Sequence, residues 1–326
     1  MTETEILLIR VGGLGDLVVS LPSIALVRRL SPGAALTLVA RPEYGALLKA
    51  GGLVDEVVPA GSRRFAFLFG DPRAYTPDDE EWLLRYGLIV AWRQKAGPFP
   101  LEAWGGPGKG RVLIVSSPER SERPISRAFF DDTFRALAGP GADPPAFDDC
   151  ARLELSAAQR EDGRRYFGYP GSGGGTRPAV IHPGSGGAGK RWPLDRFLEV
   201  AGRLAGRGVA GVIITGESEE GLRAALREAA LPDGWTWSSS PPLNALAGLL
   251  AGAAVYLGND SGVTHLAAAC GAPTVALFRR DLEPLWRPFG PATVLAADTP
   301  AAIPLEAVWA AVLARLDQPG SGPAPA

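Results

Sequence analysis

The chain alternates between short apolar runs and longer segments in which apolar residues recur at helical spacing. An apolar run at 6–10 is followed by a glycine-rich stretch at 11–15 and an amphipathic segment at 16–30. This order predicts a strand, a tight loop and a helix. It continues with a predicted helix at 43–50 and predicted strands at 35–40 and 54–59. Alternating strands and helices with short connections indicate a parallel, doubly wound sheet.

A second series of alternating elements begins near residue 179. It follows a less regular stretch at 61–127, in which strands are recognisable at 87–91 and 111–116. In this series, apolar runs predict strands at 179–182, 209–215, 254–258 and 274–278. Helical spacing of apolar residues predicts helices at 193–207, 219–230, 243–251 and 263–270. Both halves therefore have the element order of a Rossmann-like domain.

The chain has 326 residues, more than a single hydrophobic core usually supports. Residues 168–178 are rich in glycine and contain few apolar side chains that could anchor them, which is typical of a flexible linker. We therefore predict a first domain at 1–167, a linker at 168–178, a second domain at 179–318 and a disordered Pro, Gly, Ser and Ala tail at 319–326.

The composition is that of a folded globular protein, with 46% hydrophobic and 21% charged residues. A net charge of -2 without a long basic run argues against a nucleic-acid partner. The acidic start at 1–5 differs from a signal peptide, and no apolar run reaches the roughly 18 residues of a membrane span, so we expect a cytoplasmic protein. Cys150 and Cys270 lie far apart without a CxxC pattern, which disfavours a disulfide framework or a structural zinc site.

The glycine-rich junction before the first helix contains Gly12, Gly13 and Gly15 and is followed by Asp16. Backbone N–H groups at such a junction can face an anion or a polar substrate. Asp16 has two interpretations: a cap that complements the helix dipole, or a general base that acts on a hydroxyl group. A dinucleotide-binding fingerprint is incomplete, because Val18 replaces its third glycine.

The segment 182–193 joins a predicted strand to a predicted helix. It approaches the pattern of a P-loop, but Arg191 stands where a hydroxyl group would hold Mg²⁺. Pro193 suits the first turn of a helix, which places the helix start after Lys190. We interpret the segment as a different kind of phosphate-binding loop that carries the charge of Lys190. A solvated lysine in a flexible loop is the simpler interpretation.

A third strand-to-helix junction, 258–265, places small and hydroxyl-bearing residues where an anion can bind. A serine hydrolase is disfavoured, because the segment lacks a G-x-S-x-G elbow and no base is evident for Ser261. The two histidines of the chain, His182 and His265, form at most a weak metal site. Glu220 follows a predicted strand, as ribose-binding carboxylates commonly do, although surface charge at a helix start also explains it.

Four motifs together resemble glycosyltransferase family 9, whose best-known members are ADP-heptose:lipopolysaccharide heptosyltransferases. They are the first strand with Arg10, Asp16 and Pro22; His182-Pro-Gly-Ser with Lys190-Arg-Trp-Pro; Gly216-x3-Glu220; and Asn259-Asp-Ser-Gly-Val-Thr-His265 with Cys270-Gly-Ala-Pro. The resemblance covers the first 60 residues and most of 178–315. It departs from the family at Gly12-Gly13, where many relatives carry serine or another small polar residue.

The resemblance implies the GT-B fold, in which two Rossmann-like, doubly wound domains face each other across a cleft. It implies an inverting transfer without a metal ion or other cofactor, with Asp16 as general base and Lys190 stabilising the leaving diphosphate. The implied acceptor loop is Gly12, Gly13 and Gly15, and the implied donor-binding residues are Ser185, Gly186, Lys190, Glu220, Leu243, Asp260, Ser261, Gly262 and His265. Glu220 would bind the ribose, Asp260 the hydroxyls of the sugar, and residues 241–243 would border the base.

The implied substrates are a nucleotide-diphosphate sugar, with ADP-heptose as the donor, and a lipid-linked or oligosaccharide acceptor of the lipopolysaccharide core. A peripheral contact with the inner membrane would follow from a lipid-linked acceptor. Three alternatives stay open: a hexosyltransferase with another nucleotide sugar, a non-catalytic nucleotide-sugar-binding module, and an NADP-dependent oxidoreductase that uses Arg41. We expect an anionic acceptor to be bound by arginines of the irregular region, namely Arg63, Arg64, Arg120, Arg123 and Arg127.

Overall fold

The structure is a computed structural model that describes residues 4–65, 76–93, 101, 109–117, 123–139, 141–168, 177–217 and 219–317. It contains two compact units, Met1–Arg152 and Leu153–Ala326. Each unit is built on one parallel sheet with helices between successive strands. The predicted α/β class with two Rossmann-like halves is therefore confirmed.

The first unit has a five-stranded sheet in the order β3-β2-β1-β4-β5. Its strands are β1 (Glu5–Ile9), β2 (Ala35–Ala40), β3 (Glu56–Pro59), β4 (Leu88–Arg93) and β5 (Arg111–Ser116), and its helices are α1 (Leu14–Leu30), α2 (Pro42–Ala50), α3 (Pro77–Leu83), α4 (Ile125–Ala138) and α5 (Phe147–Cys150). The central strand β1 pairs in parallel with β2 and β4. Its residues 6–9 are buried, as expected for a central strand covered on both faces.

The second unit has a six-stranded sheet in the order β11-β10-β9-β6-β7-β8. Its strands are β6 (Ala179–His182), β7 (Gly211–Thr215), β8 (Trp235–Ser239), β9 (Val255–Asn259), β10 (Thr274–Arg279) and β11 (Ala292–Ala297). Its helices are α6 (Ala157–Phe167), α7 (Leu194–Ala205), α8 (Glu220–Glu228), α9 (Leu243–Ala251), α10 (Gly262–Ala269), α11 (Glu283–Trp286) and α12 (Leu305–Leu316). The adjacent central strands β6 and β9 carry two of the junctions identified in the sequence.

The division between the units differs from the linker expected at 168–178. It lies between Arg152 and Leu153, so that α6 belongs to the second unit. The backbones of α6 and α9 approach closely where two glycines meet: a β-carbon on Gly163 would lie 2.6 Å from the carbonyl carbon of Gly248. Gln159 also donates a hydrogen bond to Asn244 at 3.1 Å. Of the expected linker, 169–176 lie outside the described residues, as do 318–326, which include the predicted tail.

The sequence pattern predicted the central strands and most of the helices that follow them. It did not identify β8 and β11, which are the two edge strands of the second sheet. It also did not identify six helices, namely α3, α4, α5, α6, α11 and α12. Edge strands are less completely buried than central strands, and every residue of β11 is only partly buried. Their apolar runs are correspondingly weaker signals.

Candidate functional site

In the first unit, the start of α1 holds Asp16 against the loop that precedes it. The carboxylate accepts a hydrogen bond from the amide of Gly13 at 2.7 Å, so Asp16 caps the helix. Gly12 has a φ of 146°, and a β-carbon at this position would overlap the Asp16 carboxylate. The loop therefore needs glycine at position 12. The general-base interpretation of Asp16 stays a prediction.

Arg10 lies buried behind this carboxylate, at the end of β1. Its Nε donates to the carbonyl oxygen of Asp16 at 2.7 Å, one Nη contacts Asp16 Oδ1 at 3.4 Å, and the other donates to the carbonyl oxygen of Trp92 at 3.1 Å. The guanidinium also lies over the ring of Phe129, 5.4 Å from its centroid. Burial lowers the pKa of Arg10 to about 10, although the charge of Asp16 acts to raise it. The sequence motif contained Arg10, but its position behind Asp16 emerges only in the fold.

In the second unit, the loops after β6 and β9 meet at an ion pair between Lys190 and Asp260. The Lys190 ammonium donates to Asp260 Oδ2 at 2.8 Å. The Asp260 side chain is 8% exposed and the Lys190 side chain 36% exposed, so the pair has a buried and an accessible end. Ser185 donates through Oγ to the Asp260 carbonyl at 2.7 Å. Three predicted donor-binding residues are thus brought together.

Asn259 fixes the two loops relative to each other through its side-chain amide. Its Oδ1 accepts a hydrogen bond from the amide of Trp192 at 2.9 Å, and its Nδ2 donates to the carbonyl oxygen of Pro183 at 2.8 Å. The indole of Trp192 donates to the carbonyl oxygen of Ile303 at 3.0 Å. Pro193 is the N-cap residue of α7, so the helix begins after Lys190 as predicted.

The N-terminus of α10 directly follows Asp260 in the chain and is capped by Ser261. The Ser261 hydroxyl accepts a hydrogen bond from the amide of Thr264 at 3.3 Å. Ser261 and Gly262 are partly exposed, whereas Thr264 is fully buried. The free amides and the dipole at such a helix start favour an anion.

The junction after β7 contains two adjacent glutamates with different environments. Glu220, the ribose-binding candidate, lies on the surface and pairs with Arg223 and Arg227. Glu219 is buried, and its carboxylate accepts a hydrogen bond from the amide of Gly216 at 2.9 Å. Sequence reasoning missed Glu219, because two neighbouring acidic residues at a helix start look alike. They cannot be distinguished without knowing which carboxylate folds back onto the preceding loop. The N-cap position of Glu219 decides this.

His182, at the end of β6, contacts both Ser261 and Glu219. Its Nδ1 lies 3.2 Å from Ser261 Oγ, and its Nε2 lies 3.5 Å from Glu219 Oε1. No base beside Ser261 was evident in the sequence, and that expectation was wrong because the fold places His182 there. The two residues are 79 positions apart, and the parallel pairing of β6 with β9 brings them together.

The remaining donor-site candidates lie on different elements of the second unit. His265 is buried, with its ring edge-on to Phe278 and Trp286 at centroid distances of 6.5 and 6.4 Å. Leu243 begins α9 and is partly exposed, and Gly186 is exposed in the loop after β6. Their assignment to the donor stays a prediction.

Three of the arginines expected to bind an anionic acceptor have acidic neighbours. Arg64 pairs with Asp79 at 3.5 Å, and both Arg123 and Arg127 contact Asp131 at 2.8 Å. Arg63 is exposed, and Arg120 lies outside the described residues. Three of the five arginines are therefore already partly neutralised by carboxylates.

Within the described part of the chain, no group of three or more His, Cys, Asp or Glu side chains is placed to hold a metal ion. None of its helices combines the length and the apolar character needed to cross a membrane.

The chain is similar to several known proteins. The model of "Glycosyltransferase family 9 (heptosyltransferase)" matches residues 111–304. Lipopolysaccharide heptosyltransferase 1 of Pseudomonas aeruginosa is 24% identical over 296 residues, covering 84% of this chain and 78% of that protein. A family 9 glycosyl transferase from Veillonella parvula has a TM-score of 0.74 at 17% identity, over 96% of this chain and 97% of that one. The E. coli ADP-heptose LPS heptosyltransferase II has a TM-score of 0.71 at 20% identity, over 96% and 98%.

Proposed function

The chain belongs to glycosyltransferase family 9 and is a glycosyltransferase, and we propose that it transfers heptose from ADP-heptose onto a hydroxyl of a lipopolysaccharide-core-like acceptor. We further propose that the transfer inverts the anomeric centre and needs no metal ion. The choice of donor and acceptor is supported by what the related proteins are named for.

The observation that carries the donor site is the Lys190–Asp260 pair next to the N-terminus of α10. The Lys190 ammonium is held by Asp260 at 2.8 Å but keeps an accessible side. A fixed cation and a helix N-terminus are groups that stabilise the negative charge of a departing diphosphate. They supply in this proposal the positive charge that a metal ion supplies in other transferases. Asp260 would accept hydrogen bonds from hydroxyls of the donor sugar.

The observation that supports the acceptor side is the way Asp16 is held. One carboxylate oxygen accepts from the Gly13 amide, Arg10 lies behind the other, and the side chain is 19% exposed. A carboxylate fixed in this way can take the proton of an acceptor hydroxyl as that oxygen attacks the anomeric carbon. The bond from that carbon to the diphosphate oxygen breaks in the same step, which inverts the anomeric centre.

Localisation is part of the same proposal. A lipid-linked acceptor would place the enzyme in the cytoplasm with a peripheral contact at the inner face of the membrane. The exposed Arg63 is a candidate for contact with an anionic acceptor, whereas the paired Arg64, Arg123 and Arg127 would first have to exchange a carboxylate for the acceptor.

Calorimetric titration in the presence of a chelator tests the donor assignment. The titrants are ADP-heptose, other nucleotide sugars and NADPH, and the proteins are the wild type, Lys190→Ala and the charge-matched control Lys49→Ala. Lys49 lies exposed on α2 of the first unit. We expect ADP-heptose to bind without metal, more weakly to Lys190→Ala and unchanged to Lys49→Ala.

The other outcomes separate the alternatives. Preference for a different nucleotide sugar would indicate a hexosyltransferase of the same family. Binding of NADPH alone would contradict the transferase donor site. Binding of ADP-heptose without transfer to any core acceptor would indicate a non-catalytic module, and the anomeric configuration of a product, read by NMR, tests inversion.

A further inference from the structure

A buried chain of polar contacts runs from Glu219 through His182 to Ser261 at the N-terminus of α10. His182 is 3% exposed and Glu219 is 6% exposed. His182 Nε2 lies 3.5 Å from Glu219 Oε1, and His182 Nδ1 lies 3.2 Å from Ser261 Oγ. One imidazole therefore joins a buried carboxylate to a hydroxyl at the edge of the proposed diphosphate site.

The environment of Glu219 keeps it ionised. Burial raises the pKa of Glu219, but the hydrogen bond and charge of His182, the Gly216 amide and the charge of Arg191 together lower it below the ordinary value. An ionised carboxylate only accepts hydrogen bonds. His182 Nε2 must then carry a hydrogen that points to Glu219, whatever the state of Nδ1.

The hydrogens around Ser261 can be counted in the same way. The Thr264 hydroxyl donates to the carbonyl oxygen of Asn259, and the Tyr256 hydroxyl lies 2.9 Å from Thr264 Oγ1. Burial raises the pKa of Tyr256, so its phenol keeps its hydrogen, which it can donate to Thr264 or to Ser261. Thr264 therefore has no hydrogen left to give to Ser261, which lies 3.1 Å away.

With a neutral His182, these bonds turn the Ser261 hydroxyl inward. Nδ1 is then an acceptor, so Ser261 donates its single hydrogen to Nδ1 or to Thr264. The Ser261 oxygen would face an incoming phosphate with lone pairs only. With a second proton on His182, Nδ1 becomes a donor to Ser261 Oγ, and the Ser261 hydrogen is free to turn outward.

We propose that binding of a nucleoside diphosphate at the N-terminus of α10 is accompanied by uptake of one proton from solvent onto His182 Nδ1. Glu219 is the counter-charge of the imidazolium, and the Ser261 hydroxyl turns to donate to a phosphate oxygen. His182 and Glu219 are thus positioning residues of the donor site. This inference rests on the proposed donor site.

The charges that act on this chain favour the coupling. Glu219 lies at Nε2, and the Arg191 guanidinium acts on Glu219 from the loop before α7. Tyr256 stays neutral on β9. On the ligand side, Lys190 is compensated by Asp260 at 2.8 Å, so the pair adds no net charge until a ligand separates it. An arriving diphosphate brings negative charge towards the imidazole, which favours its protonated form.

The test is titration with ADP at about pH 8, where a phosphate monoester has lost its last proton (pKa about 6). Measuring the binding enthalpy in buffers of different ionisation enthalpy gives the number of protons taken up. We expect uptake approaching one proton per ADP in the wild type, none in His182→Asn, whose amide can donate to Ser261 without titrating, and less than the wild type in Glu219→Gln. The wild-type affinity should fall by up to tenfold per pH unit as pH rises, and the His182→Asn affinity should not change.

A second measurement does not depend on a variant. The chain has two histidines, so NMR of the imidazole C–H groups resolves each one, and the His182 signals should move to the imidazolium position when ADP is added. ADP binding without proton uptake in the wild type, or uptake that persists in His182→Asn, would overturn the inference while leaving the donor site in place. Failure of ADP to bind to the wild type at all would overturn the donor site and this inference together.

Discussion

The backbone of Gly184 lies directly against the carboxylate of Glu219: a β-carbon on Gly184 would overlap both carboxylate oxygens. The loop after β6 and the start of α8 therefore fit together only because residue 184 has no side chain. This contact holds Glu219 against His182, and through it the Ser261 end of the proposed donor site.

Gly184→Ala is expected to displace the Glu219 carboxylate and to weaken ADP binding by roughly tenfold, since a lost hydrogen bond of about 1.4 kcal/mol corresponds to that factor. Calorimetric titration with ADP measures the effect. Gly187→Ala is the matched control in the same loop, because a β-carbon there meets nothing within 4 Å. Equal affinities for the two variants would show that the Glu219 position does not influence the donor site.

Asp16→Asn separates the two roles of Asp16. The asparagine oxygen can still accept from the Gly13 amide, so the cap and ADP binding should be retained, whereas thermal stability should fall because the buried Arg10 loses its counter-charge. Transfer should fall by about 10²- to 10⁴-fold, because an amide cannot take the acceptor proton. Turnover assays with donor and acceptor measure this.

The control for Asp16→Asn is Glu43→Gln, which removes an exposed charge from the first turn of α2. We expect it to keep full activity. If Asp16→Asn and Glu43→Gln transfer sugar equally well, Asp16 is a cap and not the base.

Gly248→Ala should destabilise the second unit. Its β-carbon would overlap the carbonyl oxygen of Gln159 on α6, and overpacking of this kind costs about 1–3 kcal/mol, more than an alanine gains within a helix. Urea unfolding followed by circular dichroism gives the free energy of unfolding. Gly252→Ala, at the end of the same helix, meets its nearest atoms at 3.6 and 3.8 Å and should unfold like the wild type. A wild-type midpoint for Gly248→Ala would mean that α6 does not pack against α9 in solution.

The ionised state of Glu219 should make part of the stability depend on pH. Its pKa is lowered in the folded state, so its contribution is present above the ordinary value of 4.5 and is lost as pH falls through the folded value. The free energy of unfolding of the wild type should therefore exceed that of Glu219→Gln near pH 6, and the difference should shrink as pH falls below 4.5. Thermal unfolding of both proteins across this range measures it. A difference that grows towards acid pH would contradict the assigned direction.

The sequence by itself determined the fold class and the family. The runs 6–9 and 179–182 form central strands that are buried on both faces, so their apolar pattern is continuous and easily recognised. The sequence also places Lys190, Asp260 and Ser261 at strand-to-helix junctions, where backbone amides favour anions, and their assignment to the donor stays a prediction. A local pattern of residue types is sufficient for conclusions of this kind.

Only the tertiary structure decided which polar residues meet. His182, Glu219 and Ser261 come from three separate junctions, and the order β9-β6-β7 places these junctions side by side. Which of the two glutamates is buried depended on the backbone at the start of α8, where the side chain of the N-cap residue Glu219 turns inward and that of Glu220 turns outward. The packing of α6 against α9 depended on Gly163 and Gly248, two glycines 85 positions apart whose backbones approach closely. Contacts between distant residues leave no periodic signal in the chain, because their spacing is set by topology and not by the repeat of a helix or a strand.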